Sequence, residues 1–501
     1  MKPRAVAAVM AALGLVLAGC SGSPVENGEE DRLVVAQSSD ILTMDPSVDT
    51  SPISLNAFKN VYDQLTDISA DGDVAPQLAS SWDSSADATT WTFTIRTNAS
   101  FHDGTPVTVD DVIWTYKKII ADTKSPVNTY LSDVADIERV SDEQIRFKLK
   151  KPFAPFDRQV SLISIMPQKA YEKMGAAEFA KTPIGSGPFK FVSWQKDTQL
   201  ELAAFDKYWK GAPAIKTLIF KPVPDESARQ AGLISGELDV VPVLPPSSLQ
   251  RVKSTKGVRV QQVASNRVLY LGFNATQAPL DDLKLRQAID YAIDREAISR
   301  DLLKGLGKPI GQVVAPVTFG YDPNVAPAKY DPARAKALVA ESKYDGRPIV
   351  FQYPNNRYAF GNEVAQAVAG YLGAAGIKVE MKGMEYSAFF PLWTGKKLSG
   401  IHMFAYGPSI MDAELPLGSL YASTSRGYWS NEQVDKLIEE QRAASNPKQR
   451  AELIGQIWRL SQQNVPYAFL YNEVQAYGIS DRVKWEPRPD ERLLFQQASI
   501  K

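Results

Sequence analysis

The stretch from Ile349 to Met381 constrains the fold more than any other part of the sequence. Ile349 to Tyr353 reads as a strand, Glu363 to Ala375 as a helix closed by Gly376, and Ile377 to Met381 as a second strand. Parallel strands need a crossover of a dozen or more residues between them, and a helix of this length supplies it. The segment is therefore expected to be a βαβ unit, which makes at least one lobe of the protein α/β. Ligands of such sheets gather at the carboxyl ends of the strands. For the first strand that end is Tyr353-Pro354-Asn355-Asn356-Arg357.

Other elements follow from periodicity. Leu33 to Ala36 is a short apolar strand ending at Gln37-Ser38-Ser39-Asp40. Leu55, Phe58, Val61, Tyr62 and Leu65 have helical spacing after Ser51-Pro52. Trp91 to Ile95 alternates as a half-buried strand, and Thr108 opens a capping-box-like helix start, T-V-D-D. Near residue 270 the texture changes. Val268 to Phe273 is strand-like, and Leu285, Ala288, Ile289, Ala292 and Ile293 form one helical stripe. A chain of 501 residues is too long for one core and should divide into two or three domains. No internal repeat or low-complexity block interrupts it.

One cysteine occurs in the whole sequence, at Cys20. Before it come a basic start (Lys2, Arg4), an apolar run from Ala5 to Leu17, and Leu17-Ala18-Gly19. This is the pattern of a secretory signal peptide, expected over 1–19. Leu-Ala-Gly-Cys is similar to the lipobox of bacterial lipoproteins, which implies a diacylglycerol on Cys20. The polar run SGSPVENGEED then reads as a flexible tether, expected over 20–30. The rest of the chain should lie outside the cytoplasm. It would be anchored to the outer face of the cytoplasmic membrane, or on the periplasmic side in a two-membrane cell.

Catalytic signatures are sparse. His102 and His402 are the only histidines, and HExxH, zinc-spaced Cys/His, GxSxG and the Walker GxxxxGK are absent. His102 sits in a turn and His402 in an apolar strand, so a structural role is the expectation for both. Basic and acidic residues balance, 56 against 57, leaving no electrostatic footprint for nucleic acid. Paired carboxylates of the glycosidase kind stay open, since spatial pairing cannot be read from one sequence.

Six motifs then occur in a familiar order. PQLASSWDSSADATTWTFTIRTNASFHDGTPVTVDDV (Pro76 to Val112), PIGSGPFKFVSW (Pro183 to Trp194) and FDKYWKGAPAIKTLIF (Phe205 to Phe220) come first. SGELDVV (Ser235 to Val241), LYLGFNATQAPLDDLKLRQAIDYAIDREAI (Leu269 to Ile298) and GYWSNEQVDKLI (Gly427 to Ile438) follow. Together they resemble extracellular solute-binding proteins of family 5, the binding subunits of bacterial ABC importers of dipeptides, oligopeptides and nickel. The resemblance implies a two-lobed, hinged periplasmic-binding-protein-like α/β fold with an extra subdomain in the first lobe. It places lobe I at 31–58, 182–268 and 478–501, the subdomain at 59–181 and lobe II at 269–477. It further implies a monomer that binds a small-molecule or peptide ligand and docks on membrane permease subunits, with no cofactor, metal or chemical step. Trp82, Trp91 and Trp114 are expected in cores.

Peptide binders of this family often carry F-G-W-G-A-D-Y-P-D-P in lobe II, where the Asp after Gly-Ala holds the ligand ammonium. The corresponding run here is Phe404 to Ala413 (FAYGPSIMDA). Tyr406 replaces the Trp, Gly407 keeps its place, Ser409 replaces the ammonium-binding Asp, and Asp412 matches the following acid. A hydroxyl cannot neutralise a buried ammonium. Either another acid takes the role, with Asp40 and Asp412 the candidates, or the ligand is not a simple free-amine peptide. A modified peptide, a glutathione-like molecule, an opine, a glycoside or a metal chelate then remain open. Other expected ligand contacts are Ser38 and Ser39 at the first strand's end, Asn356 and Arg357 at the βαβ strand, and Trp393 and Tyr406 as aromatic walls. Tyr270, Phe273 and Asn274 are the expected hinge. The rival of another class is a secreted carboxylate-dependent hydrolase. A third possibility is a surface sensor that passes its ligand to a receptor.

Overall fold

The computed structural model describes residues 31–355 and 357–501. The leader, the tether, Cys20 and Asn356 lie outside the described residues. The βαβ unit is present: strand Ile349–Pro354, helix Gly361–Ala374 and strand Val379–Met384, with Ile349 beside Val379 in parallel register. Val364, Ala365, Val368 and Leu372 supply the buried face of the helix, spaced as a 3.6-residue period requires.

Both strands belong to an 11-stranded sheet that runs through the whole molecule. Its first half joins Arg32–Gln37 in parallel to Thr217–Pro222, followed by antiparallel Gln199–Ala204 and Phe189–Gln195. Its second half contains the βαβ strands and Ile401–Tyr406, which pairs in parallel with Ile349–Pro354. Two long antiparallel strands link the halves, Val258–Phe273 and Tyr467–Ser480. At one end Gly478 and Ile479 pair with Val241 and Val240 of the first half. At the other, Val268 to Phe273 pair with Tyr406 to Ile401 of the second. The sequence shows only the last six residues of the first linking strand, because its earlier part, Val258 to Arg267, is polar and half-exposed. The change of texture near residue 270 thus falls inside one continuous strand.

The linking ladder is broken between Ala264 and Val268, and its register shifts again between Leu269 and Tyr270. Polar side chains repair the first break. Asn472 Nδ2 donates to the carbonyls of Ser265 (2.7 Å) and Arg267 (2.8 Å), and Ser265 Oγ accepts from the Arg267 amide. Such irregularities bend a strand and re-aim its side chains. Here the aim falls on Asn266 and Arg267.

Three hydrophobic clusters hold the molecule. The largest surrounds the second half of the sheet, around Tyr270, Phe351, Phe404, Trp458 and Tyr467. A second packs the outer face of the first half with the C-terminal segment, through Phe58, Tyr62, Phe220, Trp485 and Phe495. The third belongs to a separate four-stranded antiparallel sheet, ordered Ala79–Ser84, Thr90–Ile95, Gln144–Leu149 and Val134–Arg139. Against it lies helix Val109–Ala121, whose start is a capping box: Thr108 accepts from the Asp111 amide and Asp111 from that of Thr108. Phe93, Phe147, Phe156 and Tyr116 meet there in mutual ring contact. Truncating one of these rings to Ala costs about 3–5 kcal/mol. Trp91 is buried in this core, with Trp82 packed at its edge. Among the described residues no helix is long and apolar enough to cross a membrane.

Candidate functional site

The broken ladder opens onto a cavity of about 240 Å³. Gln37 and Ser38 reach it from the end of the first strand, and Asn266 and Arg267 from the break. Gln475 and Tyr477 come from the other linking strand, and Gly407 and Ser409 from the loop after Ile401–Tyr406. Tyr130 enters from the four-stranded unit, Arg229 and Val243 from the first half, and Asp490 to Leu493 from the C-terminal segment. Segments far apart in the chain thus converge at the first break in the linking ladder.

The walls are apolar in part, through Pro52, Ile53, Leu55 and Leu493, and charged in part. Arg267 donates to Glu491 Oε2, and its Nε lies 3.5 Å from Glu473. Burial works against the Arg267 charge, but Glu491 and Glu473 outweigh it and hold the guanidinium protonated. Glu473 is pushed up by burial and by the nearby Glu491, against the pull of Arg267. Arg488 forks onto Asp490 (2.9 and 2.6 Å) and donates to the Ile68 carbonyl, which pins the C-terminal turn. Asn266 Nδ2 donates to the Pro408 carbonyl at 2.9 Å, tying the loop of Gly407 and Ser409 to the break. A β-carbon at Gly407 would stand only 3.1 Å from Asn266 Oδ1.

Away from the cavity, the four-stranded unit and the second half of the large sheet are clasped together. Arg158, on the short helix Phe156–Gln159, donates through Nη1 to the Gly72 carbonyl (2.7 Å) and lies 3.4 Å from the carbonyls of Ile410 and Met411. Its Nε is 3.3 Å from Asp412, whose carboxylate also receives both arms of Arg450 at 2.7 and 2.6 Å. Phe319 lies beneath both guanidinium groups, 5.5 Å from Arg158 and 4.7 Å from Arg450. The Ala154 amide donates to the Arg442 carbonyl at 2.7 Å. Gly72, at φ +85°, lies so close to Val317 that a β-carbon would sit 2.2 Å from its carbonyl oxygen.

Of the residues expected from sequence, Ser38, Gly407 and Ser409 line this cavity. The two acids proposed to replace the missing ammonium partner are both engaged elsewhere. Asp40 accepts from Trp194 Nε1 (3.0 Å) and the Asp197 amide (2.7 Å), outside the cavity. Asp412 is wholly buried in its arginine pair. Burial alone would push its carboxyl up, but Arg450 and then Arg158 prevail and hold it below the ordinary carboxylate value. Ser39 is exposed beside Ser38 and does not line the cavity.

The aromatic walls lie elsewhere too. Trp393 is buried against Phe404, with ring centroids 4.7 Å apart, because its helix turns this face into the core. Tyr406 hydrogen-bonds Ser419 and lines a separate hollow with Lys396, Glu414 and Arg426. Arg357 is exposed over the Tyr386 ring, 4.8 Å away, in an adjoining cavity of about 300 Å³ that shares Val243. Tyr270, Phe273 and Asn274 are buried beyond the first break in the ladder, Tyr270 at the second irregularity.

His102 is a structural residue, hydrogen-bonded to Gly187 O and the Gly185 amide, and burial brings its pKa down to about 4. His402 is buried, its pKa lowered by burial to about 3, with its ring against Gly272. Sequence reasoning missed Arg229, Arg267, Glu491 and Arg492. The dense run E-P-R-P-D-E-R from Glu486 to Arg492 was the available signal, since such charge held by two prolines near an apolar strand marks a rigid turn. Among the described residues, no cluster of three or more His, Cys, Asp or Glu could hold a metal ion.

Comparison with known proteins adds three findings. The family model "Bacterial extracellular solute-binding proteins, family 5 Middle" matches residues 73–428. The probable D,D-dipeptide-binding periplasmic protein DdpA of Escherichia coli K12 is 28% identical over 491 residues, covering 94% of each chain. The dipeptide-binding protein of the same organism is 28% identical over 458 residues, covering 82% of this chain and 83% of its own. Among solved structures, the ABC transporter substrate-binding protein CtaP of Listeria monocytogenes superposes with a TM-score of 0.85 at 24% identity, covering 94% of this chain and 99% of the other.

Proposed function

The chain belongs to family 5 of the bacterial extracellular solute-binding proteins, and from that premise we propose that it is the substrate-binding subunit of an ABC importer. It captures a small solute, a short peptide or modified peptide, between two lobes and delivers it to a membrane permease. The observation that carries this reading is the cavity itself. Its walls come from both halves of a sheet joined only by two irregular strands, and its closure depends on contacts that exist when the halves meet.

In this reading the lobes are the segments 31–58, 182–268 and 478–501 against 269–477, with 59–181 as a subdomain of the first. The flexing element is the interrupted ladder at Ser265 to Arg267. Ligand adds contacts on both sides of the cleft and so shifts the population from open to closed. Moving a 1:99 balance to 99:1 takes about 5.5 kcal/mol of preference for the closed form. The cavity is smaller than the about 300–1,000 Å³ of drug-sized sites, which favours a short ligand. The relatives named for dipeptides support the same size class. No step breaks a covalent bond: the two histidines are structural and the cleft carboxylates are salt-bridged. Cys20 carries the lipid anchor, and the protein acts outside the cytoplasm as a monomer that docks on permease subunits.

Native mass spectrometry of the purified protein, followed by release of the bound solute, tests this. One small solute per chain should come off chemically intact, and scattering should show a more compact molecule when it is restored. Conversion of that solute by substoichiometric protein would overturn the reading in favour of a hydrolase.

A further inference from the structure

The cleft contains two charged groups with unused bonding capacity. Arg492 is 8% exposed and lines the cavity, and among the described residues its guanidinium has no hydrogen bond and no ion pair. A guanidinium that lines a cavity with its fork unoccupied is placed to receive an anion bidentately. The residue before it, Glu491, lines the same cavity. One of its oxygens is taken by Arg267, while the other, Oε1, is buried without a hydrogen-bond partner.

Charge bookkeeping points the same way. Arg267 is the one cation within ion-pair distance of both Glu473 and Glu491 among the described residues, so two carboxylates share a single guanidinium. Glu473 Oε2 also lacks a hydrogen-bond partner. The surplus negative charge reaches the cavity through Glu491. Glu491 sits at φ +62°, in the left-handed region that residues with a β-carbon rarely adopt. The turn holds it there by the Arg488–Asp490 fork and by the Arg492 amide, which donates to Asp490. An acid and a base that are consecutive in sequence therefore face one cavity without pairing to each other.

Resting on the binding reading above, we propose that Glu491 and Arg492 recognise the two ends of a short zwitterionic solute. Glu491 accepts the ligand's ammonium and Arg492 forks onto its carboxylate. The solute is then an amino acid or short peptide with both ends free. The ammonium partner missing at Ser409 is supplied from the opposite wall of the cleft, by the C-terminal turn.

The test is calorimetric titration with a library of dipeptides and tripeptides in three forms: both ends free, N-acetylated, and C-amidated. The wild-type protein should bind free-ended members and lose about 30-fold or more in affinity on blocking either end. Glu491→Gln should stop discriminating against acetylation while still rejecting the amides, and Arg492→Gln should do the reverse. A merely structural role would shift all three forms alike. Equal binding of free, acetylated and amidated peptides by the wild type overturns the end-recognition site and leaves the binding reading standing. If no peptide binds while a co-purified solute occupies the cavity, the zwitterion assignment falls. If the protein converts the peptides, the binding reading itself falls.

Discussion

Arg158→Met isolates closure from folding. Arg158 reaches across from the four-stranded unit to Asp412 at 3.3 Å and to two carbonyls at 3.4 Å. Its shorter bond, to Gly72, stays on its own side. Methionine keeps the apolar stem against Phe319 and removes only the charged head. Asp412 is not abandoned, because Arg450 still holds both of its oxygens. The expected loss is therefore one charge-assisted contact of ordinary to long length, about 2 kcal/mol at the lower end for bonds to charged groups. It falls on the closed form alone, since the contact does not exist once the halves part. By the usual conversion this is about 30-fold in the closed-to-open ratio. When the open form dominates without ligand, apparent affinity weakens by the same factor. Calorimetry with the co-purified solute reads the affinity, and chemical denaturation of the ligand-free protein reads the fold. Affinity should fall about 30-fold, while stability should fall by no more than the about 1.5–3 kcal/mol of the Gly72 bond, which is lost in the open and closed forms alike. Unchanged affinity together with a larger loss of stability would refute the reasoning, because Arg158 would then serve folding and not closure.

Three other perturbations follow. Arg450→Met leaves buried Asp412 with the longer Arg158 contact as its one ion pair among the described residues, beside the Glu414 amide, so it should cost about 3–5 kcal/mol of stability in urea titration. Gly72→Ala places a methyl against the Val317 carbonyl and strains a left-handed backbone, so it should hold the halves apart; scattering should show a larger radius in the presence of solute. Asp63 is pushed up to about 6 by burial, against the opposing pull of hydrogen bonds from Trp209 and Tyr208. Its folded value exceeds its unfolded value of about 3.9, so the native state binds the extra proton. Stability from this group should then be highest below pH 4 and fall by about 3 kcal/mol in all as pH rises from there through 6. Asp63→Asn should flatten that window yet lower stability overall, because Gln77, Tyr208 and Trp209 all donate to its two oxygens.

The sequence made the repeating parts of the fold legible and concealed the parts that depend on distant contacts. Helix Gly361–Ala374 with its flanking strands could be read because burial imposes a period on Val364, Val368 and Leu372. The capping box at Thr108 is local and could be read for the same reason. The linking strand could not, because Val258 to Arg267 is mostly half-buried on both faces and carries no clean alternation of apolar and polar residues. Ser38, Gly407 and Ser409 were within reach because strand ends point to clefts. Asp412 misled because its acid matches a family position, while its partner Arg450 is 38 residues away and invisible to spacing. Arg492 was hidden by a far larger separation: only the fold brings the C-terminal turn to the end of the first strand, more than 450 residues upstream.

The central claim is that two halves close on a small solute. A spin-label distance between Asp142→Cys on the four-stranded unit and Lys436→Cys on the second half, in a Cys20→Ser background, reads it directly. After the bound solute is stripped and then restored, the account predicts a long, broad distance that collapses to a short, narrow one. A single distance that ignores the solute would contradict it.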